Sequence, residues 1–306
     1  MIKQKFFKTL AVTVAILFFL LTGADMYLKT YGDISRESAS KEAIEEIESL
    51  SDYYNKKSDR IRIMTYNVLS DSVGFEGTPV VTRADGVCRI IEGIAPDVCG
   101  FQEMNRKWFA CVYNNTDYKF IHPVRTALFD TMTVLAYNPR TVVPLSFGEQ
   151  VFKNSNGSLL RRMVWGVFVH RKTDSVFAVV NTHFSLSDGN FTDNTTPLTQ
   201  ALELITLCKE LKNLFGCPVF PVGDFNAKES TPTAPSPIYN ILCAAFTNTA
   251  HIAEAVSNGE NTLKKQPSVD HIFAFGDAEI PLHTTLSQST FKAYSDHFPV
   301  FCDINI

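Results

Sequence analysis

Apolar and polar positions change rhythm twice along the 306-residue chain. Thr9 to Ala24 is an uncharged, strongly apolar stretch. Asp33 to Ser58 is polar, but Ile44, Ile47, Leu50 and Tyr54 recur at helical spacing among Glu and Lys, which predicts an amphipathic helix acting as a spacer. From Arg60 onward, short β-branched and aromatic strings take over, with no internal repeat. Ile61 to Val68, Asp97 to Glu103, Met132 to Tyr137, Met163 to His170, Val176 to Phe184, Val219 to Phe225, Val269 to Phe275 and Phe298 to Ile304 predict strands. Helical periodicity fits Arg83 to Ile94, stopped before Pro96, and Leu198 to Phe215, stopped by Gly216 and Pro218. Many strands with helices spaced singly predict an α/β fold of two sheets stacked face to face and covered by helices.

The apolar stretch follows Lys3, Lys5 and Lys8 and is closed by Asp25, the order of a secretory signal. Thr22-Gly23-Ala24 offers small residues for cleavage, while Phe6 and Phe7 lengthen the run toward an uncleaved anchor. The expectation is therefore a signal peptide or membrane anchor over 1–24, a partly helical linker over 25–58 and a main domain over 59–306. No cysteine stands near the end of the run, which excludes a lipid-modified cysteine. Asn114, Asn156, Asn190 and Asn194 begin Asn-x-Ser/Thr triplets, which matter only in a glycosylating host.

At 45% hydrophobic and 20% charged residues, disorder is not the expectation. The net charge of -4, with no Lys/Arg run beyond the first eight residues, gives no electrostatic support for tight nucleic-acid binding. The seven cysteines are scattered in apolar strings without a Cys-x-x-Cys pair, so they read as small buried hydrophobes rather than a disulfide framework or structural zinc site.

The chemistry is written where apolar strings end in polar residues, at the rim of a sheet. Five strings end so: Met64-Thr65-Tyr66-Asn67, Gly100-Phe101-Gln102-Glu103, Val180-Asn181-Thr182-His183, Val222-Gly223-Asp224-Phe225-Asn226-Ala227 and Pro267-Ser268-Val269-Asp270-His271-Ile272-Phe273. A sixth, Tyr294-Ser295-Asp296-His297-Phe298-Pro299-Val300, carries its polar pair ahead of the terminal strand. Singly, each is ordinary strand-end or turn chemistry. Together they supply oxygen ligands for a hard cation and donors for phosphate oxygens, since residues two apart in a strand, such as Asn181 and His183 or Asp224 and Asn226, share a face.

In this order and spacing the six strings resemble the endonuclease/exonuclease/phosphatase superfamily, from about Arg60 to the C-terminus. The resemblance implies a four-layered α/β sandwich, a Mg²⁺ or Mn²⁺ cofactor, and hydrolysis of phosphodiester or phosphomonoester bonds. It implies Glu103 as principal metal ligand, assisted by Asn67 and Asp296, and places Asp224 and Asn226 beside the attacking water and the phosphoryl group. Asp270 would orient His297, His183 would donate to a phosphate oxygen, and His297 and Asp224 both stand as candidates for activating water. Outside the strings, Arg162 and Tyr137 read equally as phosphate contacts or as a cross-strand salt bridge and a core tyrosine.

Departures narrow the substrate. Tyr294-Ser295-Asp296-His297 differs from the Trp-Cys-Asp-Arg of inositol 5-phosphatases, and the loop from Ser185 to Thr199 holds two Asp and no Lys or Arg, unlike basic nuclease clefts. The segment Leu145 to Leu160 holds Phe147 and Phe152 but is otherwise too polar for a lipid-binding aromatic hairpin. The order of expectation is an exported phosphodiesterase or phosphatase, then a secreted nuclease, then a sphingomyelinase-like lipid phosphodiesterase. The expected partners are the phosphoester substrate and, through the N-terminus, a membrane, with the protein a monomer. A non-catalytic binding protein on this scaffold would be expected to lose one or more of the six strings, and all six are filled.

Overall fold

The computed structural model describes residues 54–154, 161–186, 195–229, 236–257, 268–286 and 294–306, with 13, 21, 23–26, 28–29, 45, 48–49 and 51–52. The described residues before 54 are helical, while Ile44, Ile47 and Leu50, on which the expected spacer periodicity rests, lie outside the described residues. Ala24 is buried, Leu28 packs against the core, and Asn114 donates to the Leu28 carbonyl at 2.7 Å. Most of the apolar N-terminal stretch, and Asn156, Asn190 and Asn194, lie outside the described residues. Among the described residues no helix is long and apolar enough to cross a membrane.

In chain order the elements are β1 (Ile61–Asn67), α1 (Val80–Ile94), β2 (Val98–Met104), α2 (Arg106–Asn115), β3 (Lys119–Phe120), α3 (Pro123–Phe129), β4 (Met132–Tyr137), β5 (Val142–Val151), β6 (Arg162–His170), β7 (Val176–His183), α4 (Thr195–Phe215), β8 (Val219–Asp224), α5 (Pro237–Ala245), β9 (Thr247–Asn248), α6 (Thr249–Ile252), β10 (Val256–Ser257), β11 (Asp270–Ala274), β12 (Glu279–Thr285) and β13 (Val300–Asn305). A seven-stranded sheet runs β10-β12-β13-β1-β2-β4-β3 and a six-stranded sheet runs β5-β6-β7-β8-β11-β9.

Strand alternation divides the apolar residues among three cores. Ile61 and Ile63 of β1 face inward with Phe177 and Val179 of β7 and Phe220 and Val222 of β8, filling the space between the sheets. Met64 and Tyr66 face the other way, onto α1 and α2, while Ala178 and Val180 face α4 and α5. The order is helices, sheet, sheet, helices, the expected four-layered α/β sandwich.

From Arg60 onward every predicted strand and helix is present, with ends shifted by a few residues. Helix α1 stops because Ala95 turns left-handed (φ 51°), its N–H bonding Ile91 O just ahead of Pro96. The sequence reading passed over β5 and β12, and both carry an internal proline, Pro144 and Pro281, beside a register shift. Proline cannot donate to a ladder, which weakens the strand pattern of these polar-interrupted strings, whereas Pro221 inside the apolar run of β8 did not hide that strand. It also passed over α2 and α5, although Asn105 and Ser236 cap them by accepting from Trp108 N and Tyr239 N. All seven cysteines are free, and all but Cys243 are buried.

Candidate active site

Topology gathers the polar strand ends at one rim. β1 and β2 run parallel, as do β7 and β8, so Asn67, Glu103, His183 and Asp224 end at the same edges of their sheets. β11 is antiparallel to β8 and β13 to β1, so these two begin where their neighbours finish: Asp270 pairs with Asp224, and Val300 with Thr65. The two rims meet where Asn67 Nδ2 of one sheet donates to Asp224 Oδ2 of the other at 3.1 Å.

On the first sheet, Glu103 lies at a bulge of β2 with φ 57°, a left-handed conformation that turns its carboxylate out of the strand's alternation. The carboxylate accepts from Asn67 Nδ2 at 3.2 Å and from Ser70 N at 3.0 Å. Asn67 presents its amide nitrogen to the acids, because its Oδ1 accepts from Leu69 N at 3.0 Å.

On the second sheet, His183 and Asp224 are registered neighbours on β7 and β8, with His183 Nε2 3.4 Å from Asp224 Oδ2. That closeness requires Gly223: its φ is 146°, and a Cβ there would sit 2.1 Å from Thr182 O. Burial drives the His183 imidazole down to about 3; Asp224 works against the shift, and Arg161 and His297 add to it, so His183 is neutral. His297 is the opposite case. Burial disfavours its charge, but Asp270, bonded to Nδ1 at 2.8 Å, overcomes this with help from Asp224 and Asp296 and lifts it to about 10. Its Nε2 faces Asp224 Oδ2 at 3.9 Å and Asn67 Nδ2 at 3.5 Å.

Asn226 follows β8 in a left-handed conformation (φ 48°), so strand alternation does not govern it; its Nδ2 donates to Phe184 O at 2.9 Å and its N–H to Asp224 Oδ1 at 2.9 Å. Asp296 is half-buried, with Oδ1 3.3 Å from Ser295 Oγ. The structure thus joins Asn67, Glu103, His183, Asp224, Asp270 and His297 directly, while Asn226 braces the loop after Asp224 and Asp296 acts on His297 through its charge.

The donor set fits a hard divalent cation: Glu103 and Asp224 converge on the one amide of Asn67, giving oxygens that are otherwise close like charges. Asn67 would join as an oxygen ligand only with its amide reversed. Asp224, Asp270 and His297 also offer ligand atoms within 4.8 Å of one another. The bond between Asp270 and His297 Nδ1 orients the ring so that Nε2 faces Asp224.

Arg162 pairs with Glu149 at 3.2 Å, so its cross-strand salt-bridge reading stands. Tyr137 pairs with Val98 at the opposite rim and is half-buried, packing on Phe168 at the edge of the core. Instead Arg161, one residue earlier, lies in the fields of Asp224 and Glu103; burial lowers its guanidinium from its ordinary value and the two carboxylates oppose that. The sequence reading also missed Gln102, whose Nε2 donates across the sheets to Asn181 Oδ1 at 2.7 Å, while Asn181 Nδ2 returns to Phe101 O and Val134 O at 2.9 and 2.7 Å. Its signal was a polar residue one place before Glu103, on the face turned to the other sheet.

No family model matches the chain, and no curated protein does. Solved structures do. A mannosyl-6-phosphatase from Bacteroides thetaiotaomicron is 17% identical, covering 80% of this chain and 100% of that one, at a TM-score of 0.68. An endonuclease/exonuclease/phosphatase from Bacteroides vulgatus is 20% identical over 81% of this chain and 99% of that one, at 0.67. TDP2 of D. rerio, complexed with a single-strand DNA product, is 15% identical over 81% and 99%, at 0.60. In its two sheets and the helix layers that cover them, the chain has the fold of the endonuclease/exonuclease/phosphatase proteins.

Proposed function

We propose that this protein is a divalent-metal-dependent hydrolase of phosphoric esters that works outside the cytoplasm or at a membrane. The observation that carries the reading is the buried pair of His297 and Asp270, bonded at 2.8 Å, aimed at Asp224 on the rim that also holds Glu103. Glu103 and Asp224, with Asn67 after amide reversal and Asp296 alongside, would hold Mg²⁺ or Mn²⁺. Bound there, the ion supplies Lewis acidity toward a phosphoryl oxygen and makes water more acidic.

The chain's own groups divide the remaining work. Asp224 receives the proton of the attacking water, since it is the carboxylate shared by both halves of the site. His297, kept as the imidazolium by Asp270, donates through Nε2 toward charge developing on the phosphoryl group. His183, neutral, offers a ring donor without adding charge, and Arg161 draws the anionic group toward the acids. Asn226 keeps the loop after Asp224 closed onto Phe184. The orderly placement of all these groups, and the likeness of fold to a phosphatase and a DNA-product complex, support hydrolysis over mere binding.

The finer substrate is a small phosphomonoester or phosphodiester. The net charge of -4 favours that over a nucleic-acid polymer, while the 145–152 segment buries Phe152 but exposes Leu145 and Phe147, so sphingomyelin stays in the test panel. Export rests on the order of charge, apolar run and small residues at the N-terminus. The test is a panel of sugar phosphates, nucleotides, inositol phosphates, DNA, RNA and sphingomyelin, each with Mg²⁺ or Mn²⁺. Turnover of small esters ahead of polymers is expected. Preferred cleavage of DNA or RNA would overturn the substrate class, and no cleavage of any member would overturn the hydrolase reading.

A further inference from the structure

Arg83 is 1% exposed, lies on α1 and stands outside all six strings, yet its hydrogen bonds go to the segments that carry the site. Its guanidinium donates to Val68 O at 3.0 Å, Leu69 O at 3.1 Å and Ser70 O at 3.5 Å, and to Tyr294 O at 3.4 Å. It is sandwiched 4.9 Å from the Trp108 ring and 5.8 Å from the Phe75 ring, and Trp108 Nε1 donates to Leu69 O at 2.9 Å. Three successive carbonyls converge on one cation only because Leu69 is left-handed (φ 56°).

The opposite side of that turn faces the site. With its carbonyls committed to Arg83, the turn aims Leu69 N–H at Asn67 Oδ1 and Ser70 N–H at Glu103 Oε2, both at 3.0 Å. The fourth carbonyl belongs to the strap before Asp296 and His297, and Ser295 Oγ ties that strap back to Asn67 O at 2.7 Å. The same face of α1 finishes the attachment at three-residue intervals. Gly86 leaves the Tyr294 ring its place, since a Cβ there would fall 2.2 Å from the ring, and Arg89 donates to Tyr294 Oη at 2.8 Å.

We infer that Arg83 is a positioning residue: its guanidinium fixes the Val68–Ser70 turn and the Tyr294–His297 strap to each other, and thereby sets Glu103 and Asn67 against the Asp270–His297 pair. The inference rests on the hydrolase reading only for its kinetic consequence. A planar fork spanning four carbonyls between two rings is work that a lysine ammonium, a point charge with three donors, does incompletely.

The test compares full-length wild type, Arg83→Lys and Arg83→Met by amide hydrogen exchange, by Mn²⁺ titration without substrate, and by kcat and KM. In Arg83→Met, exchange over 68–72 and 294–299 should accelerate together by about tenfold or more while β6 and β7 keep their protection. Mn²⁺ affinity and kcat should each fall about 10- to 100-fold with KM little changed, and Arg83→Lys should lie between. Unchanged exchange in both segments of a folded variant overturns the inference, as does acceleration spread evenly over the whole chain. If Arg83→Met does not fold, Arg83→Lys decides alone: wild-type exchange, Mn²⁺ affinity and kcat in that variant overturn it. If wild type neither binds Mn²⁺ nor turns over any ester, the hydrolase reading falls, and the exchange measurement still decides the role of Arg83.

Discussion

An amide and an imidazole from the rim of the seven-stranded sheet, Asn67 and His297, and an imidazole of the six-stranded sheet, His183, meet at one carboxylate, Asp224, and this meeting sets what each substitution should do. In the proposed mechanism His297 stabilises developing charge, so His297→Ala is expected to lower kcat by about 10² to 10⁴-fold with KM little changed, and Asp270→Asn to lower it less, because the imidazole stays but loses its orientation. With Glu103 proposed as a metal ligand, Glu103→Gln should raise the Mg²⁺ concentration needed for half activity, and extra Mg²⁺ should recover part of the rate. A metal titration at saturating substrate separates the two; rescue of His297→Ala but not of Glu103→Gln would invert the roles. All six polar strings were legible from residue type and position. What was not legible depends on contacts across the fold: the direction of the Asn67 amide is set by Leu69 N–H and Glu103, and the bulge that turns Glu103 outward is a matter of pairing with β4. Arg161 was lost to Arg162 by a single residue, and in a strand one residue changes the face.

At the scale of elements, β8 was readable despite Pro221 because Val219, Phe220 and Val222 keep its run apolar, whereas in β5 and β12 the runs around Pro144 and Pro281 turn polar within two residues. The closeness of β7 to β8 hangs on Gly223, which both its φ of 146° and the nearby Thr182 carbonyl reserve for glycine. Gly223→Ala is therefore expected to destabilise by about 2 to 4 kcal/mol, seen as a lower denaturant midpoint at unchanged slope. An unshifted midpoint would mean that the two strands separate without cost. Helix α1 shows the limit of periodicity: its apolar positions predicted the helix, but the role of Arg83, Gly86 and Arg89 on one face appears only with Tyr294, more than 200 residues away by the separation of 211 between Arg83 and Tyr294.

At the scale of the molecule, buried neutral histidines give stability a pH dependence. His283 sits on β12 against Thr249 Oγ1 at 2.9 Å, and burial lowers it from 6.5 to about 3. Below pH 6.5 the unfolded chain takes up a proton that the folded chain refuses, so stability should fall with acidification at a slope approaching about 1.4 kcal/mol per pH unit from this group, until its folded value is reached. His283→Gln should flatten the fall in melting temperature between pH 6.5 and 5, and an equally steep fall would locate the acid sensitivity elsewhere. The N-terminal order predicts that the full-length protein is recovered from the membrane or from outside the cytoplasm, and that removing residues 1–24 leaves it inside and soluble; full-length protein in the soluble cytoplasmic fraction would refute that.

The central claim, that the shared rim is a metal-dependent phosphoesterase site, is tested most directly by hydrolysis of a chromogenic phosphodiester and phosphomonoester across a chelator titration followed by re-addition of metal. Turnover should disappear in excess chelator, return with Mg²⁺ or Mn²⁺, and not return for Asp224→Ala. Full turnover in excess chelator, or equal turnover by Asp224→Ala, would contradict it.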